Sequence, residues 1–230
     1  MAEVETADEA PPVTTLNSTP ILPPSWPSSW PSRIGWTLLA ILCLAVTAHA
    51  SRYLLHPPQT QDQALGNPLG VPFLFIHVAG AVTALLLGSL QFIPTLRRRA
   101  VHRWVGRVYV VGCLVGGSAG LILASGSSAG PIAFAGFGGL AVFWIGTTLM
   151  GWRAAVRGRF VEHRRWMIRS WALTLAAVTL RLYVPMVEIF DLPYLPWYRA
   201  ISFLAWVPNL IAAEVWLRRG RSTASVQTTA

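Results

Sequence analysis

Two histidines, His49 and His77, lie inside long apolar runs, two more, His102 and His163, just precede others, and one arginine, Arg181, lies in the middle of another. Imidazoles in such settings can ligate a haem iron or a metal ion, or pass protons. His49 stands six residues before the end of the first apolar run, and His77 six residues after the start of the second. On neighbouring helices they share a depth of about 9 Å, at about 1.5 Å of rise per residue. His102 and His163 form a second matched pair at the opposite edge. All four are candidate haem or metal ligands, one pair per leaflet, as a b-type haem or redox-linked membrane protein would require.

Arg181 points to different chemistry. A guanidinium carries five donors and a permanent charge, which suits it to an anionic group. Counted from about Ser170, it sits about 15 Å into its span, near the middle of a bilayer. A charge there costs at least about 2.5 kcal/mol and normally faces a bundle interior or a water-filled cavity. Ser170, Thr174, Arg181 and Glu188 follow one another at spacings of four, seven and seven, so they share one helix face. That face suits a transporter or binding protein for an anionic or lipid-like small molecule. It also suits a structural role in which Arg181 satisfies backbone carbonyls or pairs with Glu188. A third reading is a non-catalytic membrane assembly partner.

The elements that must carry these residues are transmembrane helices. Hydrophobic residues make up 53% of the chain and charged ones 12%, about half the charged share of a soluble domain. A span needs roughly 20 apolar residues. Six runs qualify, near 34–55, 71–93, 104–124, 132–152, 166–190 and 198–217. The net charge is +9, carried by arginine with no lysine. In a soluble protein this balance would suggest nucleic acid. Here fifteen of the eighteen arginines fall at one end of the spans, which instead sets orientation and excludes nucleic acid as a partner. The positive-inside rule predicts both termini in the cytoplasm of a cell membrane. Residues 1–33 are acidic and rich in Pro, Ser and Thr, which predicts a disordered tail. They lack the pattern of a signal peptide, so the first run is expected to be retained. Residues 218–230 are expected to form a short basic tail. The fold class is therefore all-α, a six-helix membrane bundle. Cys43 and Cys113 lie in apolar runs and are expected to be buried thiols.

Small residues let membrane helices approach closely. Helix two carries His77, Gly80, Ala81, Ala84, Gly88 and Gln91 on one face. Helix three carries Gly106, Tyr109, Cys113, Gly116 and Gly120, and helix four Gly139, Phe143 and Gly146. Helices two to five are thus expected to form the centre, with one and six outside. Glu214 and Arg218 have the spacing of a local ion pair. Arg103, Arg107, Arg164 and Arg169 lie at headgroup depth, where they can meet the phosphates of anionic lipids. His102-Arg103-Trp104 and His163-Arg164-Arg165-Trp166, 61 residues apart, hint at an internal repeat of helix pairs. There is no phosphate-binding loop, no Cys-x-x-Cys and no His-Glu-x-x-His. No catalytic group or metal cluster is read from the sequence.

Residues 71–185 resemble a bacterial membrane-protein family known as domain of unknown function 2306. The resemblance rests on His77 with its following glycines, on the segment from Arg99 through His102, Arg103, Gly106 and Arg107 to Tyr109, and on the segment from His163 to Ser170, ending near Arg181. It implies a multi-helix membrane domain and no particular activity.

Overall fold

A computed structural model describes residues 30–55, 70–91 and 99–227. The described residues form helices α1 (Trp30–Leu55), α2 (Gly70–Leu90), α3 (Arg99–Ser125), α4 (Pro131–Val156), α5 (Phe160–Thr174), α6 (Ala176–Ile189), α7 (Tyr194–Leu204) and α8 (Val207–Gln227). They make six spans long and apolar enough to cross a membrane, because α5 with α6 and α7 with α8 each form one. The six spans match the six apolar runs.

The helices outrun the apolar runs at several ends. α1 begins at Trp30, inside the expected tail, and residues 1–29 of that tail lie outside the described residues. α8 continues to Gln227 through the stretch expected as a basic tail, of which 228–230 lie outside the described residues. α3 and α5 start at Arg99 and Phe160, so the His-Arg segments are helical. An apolar run measures the thickness of hydrocarbon. A helix keeps its backbone hydrogen bonds beyond it, so the charged flanks need not unwind.

Two spans are interrupted near their middles. Between α7 and α8 the cause is Pro208, which has no N–H to offer the preceding turn and whose ring crowds the carbonyl four residues back. Between α5 and α6 the break is Leu175, beside Thr174, whose hydroxyl donates to the Ser170 carbonyl at 2.9 Å. Such back-bonding bends helices.

The most extensive packing joins α2 to α3, followed by α4 to α5 and α3 to α4. α1 lies against α2 and α6, and α8 against α5. The α2–α3 contact is made by glycine. A Cβ on Gly80 would stand 2.6 Å from the Gly116 nitrogen and 2.7 Å from the Gly112 carbonyl oxygen. On α4 the packed face differs from the expected one. Phe143 is exposed and Gly146 has nothing within 4 Å of an added Cβ. Gly136 instead meets Ser202 of α7, and Gly151 meets Met167 of α5. Cys43 and Cys113 are buried free thiols. Glu214, expected to pair with Arg218, forms an ion pair with Arg169 that ties α8 to α5, with Nη2 to Oε2 at 3.0 Å.

Gly80→Ala should therefore lower the thermal unfolding midpoint in mild detergent, at a cost of roughly 1–3 kcal/mol for overpacking. Gly146→Ala should leave it unchanged or raised. Equal midpoints for the two variants would contradict close packing at Gly80.

Candidate functional site

The helices line a half-open cavity of about 710 Å³. It runs from the α3–α4 turn at Gly126, Ser127 and Ser128 down to Trp144, Leu173 and Thr174 in the middle of the bundle. Five of the six spans contribute polar or aromatic groups to its wall. Tyr53 comes from α1, His77 from α2, Trp144 from α4, Thr174, Arg181 and Glu188 from the α5–α6 span, and Tyr194 and Tyr198 from α7. The rest of the wall is largely aliphatic or glycine.

His77 is held by the glycine seam. Its Nδ1 lies 2.8 Å from the Gly116 carbonyl oxygen. A carbonyl oxygen only accepts, so Nδ1 carries the proton and donates it, and Nε2 is the ring's remaining nitrogen. The ring fits because position 120 is glycine: a Cβ there would stand 2.8 Å from His77 Nδ1. Arg181 donates from Nη1 to the Ala177 carbonyl of its own helix at 3.1 Å. Among the described residues no carboxylate lies within ion-pair distance of it, Glu188 included. The expected Arg181–Glu188 pair is thus not formed, although both side chains line the cavity.

The cavity floor is a hydroxyl network. The Tyr109 hydroxyl lies 2.7 Å from Ser170 Oγ and 3.0 Å from Thr174 Oγ1. Ser170 Oγ lies 2.7 Å from Thr148 Oγ1, which donates to the Trp144 carbonyl at 2.7 Å. Trp144 Nε1 donates to Thr174 Oγ1 at 2.9 Å. Of the sequence-derived stripe, Thr174, Arg181 and Glu188 therefore line the cavity, while Ser170 is fully buried beneath it. Sequence reasoning missed Thr148 and Trp144. Their only signal was a polar pair of positions, Thr147 and Thr148, inside an apolar run.

The other histidines lie elsewhere. His49 is exposed on α1 and does not line the cavity, so it does not face His77. Spacing along an apolar run carries no information on the rotation of α1 about its axis. His102 and His163 meet at the far end of the bundle, with ring centroids 6.5 Å apart in an edge-on arrangement. His163 Nδ1 donates to the Gly151 carbonyl at 2.9 Å. Among the described residues no group of three or more His, Cys, Asp or Glu could hold a metal ion. Around this end Arg103 and Arg107 are exposed, Arg107 lying over Trp104 at 4.8 Å and Arg164 over Trp216 at 5.9 Å. Arg169 forms an ion pair with Glu214 and stacks on Trp166. The offset of 61 recurs in space. Tyr109 and Ser170, the counterparts seven residues beyond His102 and His163, also touch.

Two segments, 116–120 and 126–130, read Gly-x-Ser-x-Gly. That pattern supports nucleophilic chemistry on a strained strand-to-helix turn. Here the first lies within α3 with Ser118 exposed, and the second is the turn into α4. No strand occurs among the described residues.

These features define a polytopic α-helical membrane protein with an interior cavity. A family model described as a predicted membrane protein, DUF2306, matches residues 74–217, and the chain belongs to that family. No curated protein gives a significant match. No solved structure does so either.

Tyr109→Phe should lower stability by about 1 kcal/mol, the usual net worth of a hydrogen bond, and more if Ser170 or Thr174 is left unsatisfied. Chemical or thermal unfolding of the purified protein measures this. An unchanged midpoint would remove the network from the account of the cavity floor.

Proposed function

We propose that the chain is a membrane binding or transport protein that admits a small anionic or lipid-like molecule into the cavity, with Arg181 holding its anionic group. The observation that carries this reading is the meeting of Arg181, His77, Thr174 and Glu188 on one cavity among aromatic walls. Its volume falls within the range of small-molecule sites, about 300–1,000 Å³. A guanidinium at this depth must be compensated, and a bound anion would complete what the Ala177 carbonyl begins. The interruptions at Leu175 and at Ala205–Trp206 adjoin the cavity floor. Broken helices near the midplane are a common setting for transporter substrate sites.

Orientation belongs to the same proposal. The arginine-rich end faces the cytoplasm of a cell membrane, with both termini there, and the cavity opens toward the other side. Arg103, Arg107 and Arg164 then meet anionic lipid headgroups.

A second reading has one observation in its favour. His77 Nδ1–H is anchored on a carbonyl, as the second nitrogen of metal-ligating histidines generally is. This suits His77 as a single axial ligand to haem b. A Soret band in the purified protein, lost in His77→Ala, would select it.

The main reading is tested with laurate, with dodecanol as the uncharged control, by ligand-induced thermal stabilisation in detergent. Laurate should stabilise the wild type saturably and dodecanol should not. Arg181→Ala should weaken laurate at least about tenfold, the loss of roughly 1.4 kcal/mol. Laurate stabilisation of equal strength in Arg181→Ala would refute the role of Arg181.

A further inference from the structure

The cavity carries two opposite charges set apart along one helix. Arg181 and Glu188 are seven residues apart on α6, about 10 Å at 1.5 Å per residue. Both line the cavity, and among the described residues neither has an ion-pair partner. Arg181 lies deep and reaches deeper still, toward the Ala177 carbonyl. Glu188 lies at the end of α6 and is exposed, at the rim.

The rim also supplies π faces. Tyr194 and Tyr198 of α7 line the cavity and stack with centroids 5.4 Å apart, and Phe137 of α4 lies 5.5 Å from Tyr198. Aromatic faces next to a carboxylate attract ammonium groups. Two other charges stand near this rim. Asp191 is exposed in the α6–α7 turn, and Arg199 donates from Nε to the Ala129 carbonyl of the α3–α4 turn at 2.8 Å. Neither lines the cavity.

We infer that the ligand is an elongated zwitterion, its anionic group on Arg181 and its cationic amine at the rim on Glu188, Tyr194 and Tyr198. This rests on the reading of Arg181 as the anion site. A plain anion would compensate Arg181 and leave the Glu188 carboxylate and the two tyrosine faces at the rim unused. A net-neutral molecule whose charges stand apart by about the backbone rise between the two positions, roughly 10 Å, can reach both. The carboxylate and amine of 8-aminooctanoate are separated by about that length when extended.

Binding of octanoate and of 8-aminooctanoate to the full-length protein in detergent, read as ligand-induced shifts of the unfolding midpoint, tests the inference. In the wild type the amino acid should bind about tenfold more tightly than octanoate. Glu188→Gln should abolish that advantage, while Arg181→Ala should weaken both. Octanoate binding that depends on Arg181, with no gain from the amine, would overturn the inference and leave the anion site standing. An advantage that survives Glu188→Gln would also overturn it. Octanoate binding that ignores Arg181, or no binding of either compound, would overturn both.

Discussion

The close approach of α2 and α3 is the constraint on which the rest of the bundle depends. Lipid tails are as apolar as leucine, so nothing squeezes apolar helices together, and backbone proximity has to come from the absence of side chains. Gly80 against Gly112 and Gly116 provides it. The same glycine seam presents the Gly116 carbonyl to His77, and Gly120 leaves room for the imidazole. A larger residue at these positions would move α2 outward and change the cavity wall along with the packing.

Below the cavity, hydroxyls replace glycines as the means of joining helices. Tyr109, Thr148, Ser170 and Thr174 connect α3, α4 and α5 through short contacts, with the Trp144 indole as a further donor. In hydrocarbon a polar group without a partner is costly, and these groups satisfy one another. Arg181 contrasts with them. Among the described residues it has a backbone carbonyl and no carboxylate, inside a span. The groups around Thr174 are paired with one another, whereas the Arg181 guanidinium lines the cavity.

Much of the fold was legible in the sequence because the bilayer imposes a length scale that apolar runs record directly. Six spans and the central place of helices two to five follow from that and from the small residues. The stripe of Thr174, Arg181 and Glu188 was legible for a related reason: helical spacing fixes a shared face. What one helix cannot reveal is which way that face turns. His49 is exposed and does not line the cavity that His77 lines, and on α4 the close contacts are at Gly136 and Gly151 rather than at Gly146. Pairing across helices was equally hidden. Glu214 had a local partner in Arg218 by spacing and chose Arg169. The meeting of His102 with His163, and of Tyr109 with Ser170, extends the hint of a repeat from sequence to space. Equivalent residues touching at two depths is what a parallel duplication about an axis along the membrane normal produces.

The central claim is that Arg181 faces a cavity open to water and solutes while its neighbour in sequence faces lipid. Leu182, exposed on the outside of the bundle, is the natural comparator. In a background carrying Cys43→Ala and Cys113→Ala, single variants Arg181→Cys and Leu182→Cys can be reacted with a charged methanethiosulfonate reagent in lipid vesicles. The account predicts rapid modification of the thiol at 181 and little at 182. Protection of both thiols, or preferential modification at 182, would contradict it.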